Sequence, residues 1–145
     1  MSRATREQIY SALFALLEAL PGVTTASRRL KNIQDLPPED FPAVYQLQDK
    51  QTTKYTGTVP TRTTLRASWL LYANSSDVTV APSTALNNLV DAACAVLAPI
   101  GVTQKNTLGG LVEYAGISGD IEIFEGVLGD RAIAIVPIEI ILPGF

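Results

Sequence analysis

The chain predicts an α+β fold, a mostly antiparallel sheet with two helices packed on one face. Two segments carry apolar residues at helical spacing between start and stop signals. Six others read as strands, and the order along the chain is α-β-β-β-α-β-β-β. The last third, Leu111–Phe145, holds three apolar runs and closes on a strand of unusual length.

The first helix is predicted over Thr5–Leu20. Thr5-Arg6-Glu7-Gln8 matches a capping box. Ile9, Ala12, Leu13, Leu16, Leu17 and Leu20 share one face, and Pro21-Gly22 stops it. A strand follows over Thr24–Leu30, then an irregular loop, Asn32–Pro42, rich in Pro, Asp and Glu. Ala43–Gln48 alternates as a strand. Asp49–Thr64 is polar and Thr-rich, and it reads as either a long hairpin extension or a mobile loop. Leu65–Ala73 is a strand with Leu65, Ala67, Trp69, Leu71 and Ala73 on one face.

The second helix is predicted over Ser83–Ala98, with Ser83 as N-cap and Pro99 and Gly101 as stops. Its apolar face is Leu86, Leu89, Val90, Ala93, Cys94 and Leu97, so Cys94 reads as core. Leu111–Ile117 and Ile121–Val127 suggest strands that pair through Ser118-Gly119-Asp120. A second turn at Leu128-Gly129-Asp130 leads into Arg131–Leu142. At about 3.3 Å per residue that last strand is roughly 40 Å long, beyond the usual length. Both its faces are apolar near the middle, which places it inside the sheet with at least one end beyond the core. The 145 residues fit one domain, with no internal repeat.

Composition narrows the chemistry. The chain has no histidine and one cysteine, which removes internal disulfides, Cys/His zinc sites and His-dependent catalytic units. A net charge of −3 gives no general pull toward nucleic acid. No phosphate-cradling glycine motif is present. Glu122 and Glu139 alternate with apolar residues as on a strand face, but nothing sets further ligands at a metal-site spacing. Arg3 and Arg6 before Ile9–Leu17 imitate a signal peptide, yet Glu18 interrupts the run and a helical face explains it better. No apolar stretch reaches the roughly 20 residues of a membrane span, so a soluble, non-secreted protein is expected.

Charge is distributed unevenly. Arg28, Arg29, Lys50, Lys54, Arg62 and Arg66 fall in the first half, and Asp and Glu dominate the last third. This is either a solvated surface or a self-complementary oligomer, in which a basic edge of one subunit meets an acidic edge of the next. Asp49–Thr64 is either a flexible loop or an arm that binds a partner. A nucleic-acid finger fits less well, given few aromatics and an acidic protein.

Several segments together carry a family likeness: the N-terminal helix, Phe41-Pro42-Ala43-Val44-Tyr45 opening a strand, and Trp69-Leu70-Leu71-Tyr72 closing another. Leu86-Asn87-Asn88-Leu89-Val90-Asp91-Ala92 in the second helix and Glu125-Gly126 before Ala132-Ile133-Ala134-Ile135-Val136-Pro137-Ile138 complete it. In order, spacing and length the chain resembles the tail terminator (tail completion) proteins of long-tailed bacteriophages. Asp49–Thr64 has no counterpart in the likeness. The resemblance implies a virion protein, built in the host cytoplasm, six copies of which form a ring on the head-proximal end of the tail tube. That ring stops tube polymerisation and presents the surface that joins the neck. The role is steric, with no catalytic residue and no cofactor. Within it, Arg28, Arg29 and Arg66 are expected to meet Glu122, Glu125 or Glu139 between subunits, and Lys50, Lys54, Tyr55 and Arg62 to form the arm that touches tube or neck protein. The alternatives are a neck or head-completion protein, a tube subunit, or a small ligand-binding regulatory domain.

Overall fold

A computed structural model describes residues 4–99, 106–126 and 129–143. Arg3, Gly101, Val127 and Leu128, named above, lie outside the described residues. Helix α1 spans Arg6–Glu18. Its capping box is formed: Gln8 N donates to Thr5 Oγ1 at 3.1 Å, and Thr5 N donates to Gln8 Oε1 at 2.7 Å. Strand β1 (Thr25–Ser27) is shorter than the predicted Thr24–Leu30, because Ser27 Oγ accepts from Arg29 N and turns the chain away. The loop before Ala43 contains two single 3₁₀ turns, Ile33–Asp35 and Pro38–Asp40, and the Phe41–Pro42 peptide is cis.

Strands β2 (Ala43–Thr56) and β3 (Val59–Asn74) form one long hairpin. Asp49–Thr64 is therefore the hairpin extension, closed by the two residues Gly57-Thr58. Gly57 has φ +61°, which a two-residue turn of this kind demands at its first position. Helix α2 covers Ser83–Val96. Strands β4 (Tyr114–Ile117), β5 (Glu122–Glu125) and β6 (Arg131–Pro143) complete the chain. The sheet order is β1-β2-β3-β6-β4, with β5 also on β6; only β1 and β2 are parallel. The fold is α+β, and the long closing strand is internal, between β3 and the β4/β5 pair.

The structure corrects three expectations. β4 and β5 do not pair with each other; they lie end to end on one edge of β6 and run the same way. Ser118–Ile121 is a detour in one edge strand. Its cause is Pro137: Ser118 N donates to Pro137 O, so the N–H that proline lacks is the one that would face this edge. Ser83 does not cap α2. The cap position is Pro82, and the N–H of Ser83 donates instead to Glu125 Oε2 at 2.9 Å. Cys94 is exposed. Leu86, Leu89, Ala93 and Leu97 form the buried stripe, and Cys94 sits about 100° round the helix from Ala93.

Both helices pack on one face. Ile9, Leu13 and Leu17 of α1 and Leu86, Leu89 and Ala93 of α2 share a core with Val44, Leu65, Trp69, Leu71, Val136, Ile138 and Ile140. Among the described residues, the opposite face is covered at one end. There Ile33, Leu36 and Phe41 pack on Ala43, Tyr45, Tyr72, Leu70 and Ile133. Arg131 ties this loop down: its guanidinium donates to Ile33 O and Leu36 O and lies 4.9 Å over the Phe41 ring.

Candidate assembly surfaces

Four of the expected interface residues have partners within the subunit. Arg28 bonds to Glu7 at 2.6 Å and to Gln48 Oε1 at 3.0 Å, joining α1 to β2. Arg28 and the Ser11 hydroxyl hold the Glu7 carboxyl below its usual range. Arg66 and Glu139 are direct cross-strand partners on the uncovered sheet face, with a closest approach of 3.8 Å. Glu125 serves the N-terminus of α2. Arg29 and Glu122 are exposed and lie at opposite edges of the sheet.

The arm residues do come together. Beyond Arg6, whose Nε donates to Gln51 Oε1 at 2.8 Å, the hairpin runs out as two strands. Among the described residues, pairing with β6 runs to Arg62↔Pro143 and β1 reaches only to Tyr45, so no described strand flanks the tip. Two register shifts, between Gln48 and Gln51 and between Lys54 and Tyr55, bend and twist it. Lys50 lies within the first. Lys54 and Arg62 face each other across the strands, and like charges so placed repel. Tyr55 and Val59 are 62% and 61% exposed. The arm thus combines a basic pair with exposed apolar area.

The sheet edges carry charge that the linear sequence only partly disclosed. Residues 106–126, which include both strands of the β4/β5 edge, hold Glu113, Asp120, Glu122 and Glu125 and no Lys or Arg. Beside β1 and β2 stand Arg28, Arg29, Lys50 and Lys54 with Asp49; Arg28 is paired to Glu7, and the loop joining the two strands adds Lys31, Asp35, Glu39 and Asp40. Reading only the last third for acids misses that Glu113 and Asp120 share an edge with Glu122. The topology supplies that.

Other features offer less chemistry. An open hollow of about 550 Å³ is lined by Ser75–Pro82 with Gly129 and Asp130. Its Asp77 carboxylate is taken up by Thr79 N and Oγ1 at 2.9 and 2.7 Å, which holds it below the usual carboxylate range. Among the described residues no group of three or more His, Cys, Asp or Glu stands close enough to hold a metal ion, and no helix is long and apolar enough to cross a membrane. In comparisons with known proteins, no protein-family model and no curated protein matches the chain.

Proposed function

We propose that this protein is a structural subunit of a phage tail, forming a ring of six copies that caps the head-proximal end of the tail tube and offers the surface for neck attachment. The observation that carries this reading is the β2–β3 arm. A two-stranded ribbon is marginal in water by itself, and this one ends in a repelling Lys54–Arg62 pair beside exposed Tyr55 and Val59. Such an arm gains stability only when a partner supplies acidic and apolar contacts. The tail tube end, or the neck protein, is that partner in this reading. The resemblance in element order and in the segments around Phe41, Trp69 and Glu125 supports the same role.

The test is a capping assay with growing tail tubes, read by electron microscopy. The wild-type protein is expected to sit at one end of each tube and arrest its growth. A Lys54→Glu, Arg62→Glu double variant should keep the fold and lose the arrest. Tubes that lengthen equally with and without the wild-type protein would contradict the proposal.

A further inference from the structure

We propose that the ring contact joins opposite edges of the sheet: the β1/β2 edge of one copy packs head to tail against the β4/β5 edge of the next. This rests on the ring-forming reading above. The partner is a second copy because the two edges complement each other in charge, height and apolar content.

The height follows from the register. Ser27, Tyr45, Leu70, Ile135 and Glu122 form one continuous row across five strands. Ser27 thus ends the row at one edge and Glu122 at the other. Arg28 and Arg29 form the bend just past Ser27 at one edge, as Asp120 stands two residues before Glu122 at the other. A second row, Thr52, Thr64, Ile141 and Tyr114, sets the Lys50–Lys54 stretch of β2 level with Glu113–Gly116. Moving a copy sideways by one sheet width brings Arg29 toward Asp120 and Glu122, and the Lys50–Lys54 stretch toward β4 and Glu113. The strands that meet are antiparallel, as β4 and β5 run opposite to β1 and β2.

Each edge also carries exposed apolar area beside its charges. Leu30 is 47% exposed next to Arg29, while Ile123 and Phe124 are 49% and 42% exposed between Glu122 and Glu125. An apolar patch bordered by charge is the anatomy of a protein interface. Among the described residues no strand pairs with the outer side of β2 beyond Tyr45, which leaves its edge from Leu47 onward for the next copy. The contact is heterologous, and such contacts close into a ring when the rotation between copies permits. Among the described residues, Arg29, Lys50, Asp120 and Glu122 have no ion pair within their own subunit. Arg28, Arg66, Glu139 and Glu125 have partners within their own chain, so the proposed contact does not draw on them.

Charge reversal with mutual rescue tests this contact. One variant carries Arg29→Glu and Lys50→Glu, the other Glu113→Lys, Asp120→Lys and Glu122→Lys, with circular dichroism and thermal melting confirming that both fold. Assembly is followed by mass photometry and sedimentation over a range of concentrations. Each variant alone should need roughly tenfold or more protein than wild type to assemble, the equivalent of about 1.4 kcal/mol. An equimolar mixture should recover wild-type assembly, since each altered edge then meets its complement. If wild type assembles and both variants assemble equally well, the edge contact is wrong and the ring reading survives. If wild type stays monomeric throughout, both are overturned. Should each variant fail and the mixture fail to rescue, the two edges do not meet each other and the proposal is overturned.

Discussion

Gln46 is buried between α1 and Trp69, where its Nε2 donates to Tyr10 O at 2.9 Å and its Oε1 accepts from Trp69 Nε1 at 3.0 Å. A single amide thus satisfies the indole N–H inside the main core. Gln46→Leu preserves bulk and strands that N–H, so a loss of about 1–3 kcal/mol is expected in urea unfolding. Tyr72 provides a second test at this scale. Its hydroxyl donates to Lys31 O at 3.0 Å, and burial, with the nearby Tyr45, pushes its pKa up to about 12. Tyr10 and Tyr45 are also raised by burial. A tyrosine ionises near pH 10 in the unfolded chain. The folded state therefore favours the neutral phenols, and their contribution is fully present below about pH 10 and lost as pH rises toward about 12. Thermal melts should show Tm falling steeply across that window and changing little with these groups between about pH 7 and 9.

The elements show which signals the sequence carried. The Thr5 capping box, the Trp69 face of β3 and the internal place of β6 were legible because local patterns determine them: a four-residue cap, strict alternation, and a strand apolar on both sides. Non-local contacts were not legible. Helix α2 receives its N-terminal partner from Glu125 on β5, and Asn106 Nδ2 donates to Val96 O at 2.9 Å at the other end, so neither cap lies within the helix segment. The β4–β5 detour depended on which side of β6 the Pro137 nitrogen faces, which no run of apolar residues reveals. The ion pairs of Arg28 and Arg66 were equally hidden, since Glu7 and Glu139 lie far away in sequence. Arg131 gives an element-scale prediction. Arg131→Met removes two charged hydrogen bonds and the Phe41 contact from the loop that covers the second core. Stability should fall by about 2–4 kcal/mol, and limited proteolysis should cut first between residues 32 and 41.

At the scale of the whole molecule, the proposed ring would extend the sheet beyond one chain. Its helix-covered face gives the body stability, its edges differ in charge, and its longest hairpin extends beyond the body with a basic tip. The proposed ring gives the last two features a role. Edge pairing between charged surfaces should also be salt-sensitive. Raising ionic strength from about 0.05 to 0.5 M shortens the screening length severalfold, so the concentration needed for assembly should rise. Electron microscopy of the purified protein at high concentration and low salt tests the central claim most directly. Closed rings of six subunits, with the arms on one rim, are the expected result. Monomers at every concentration, or open filaments without a fixed subunit number, would contradict it.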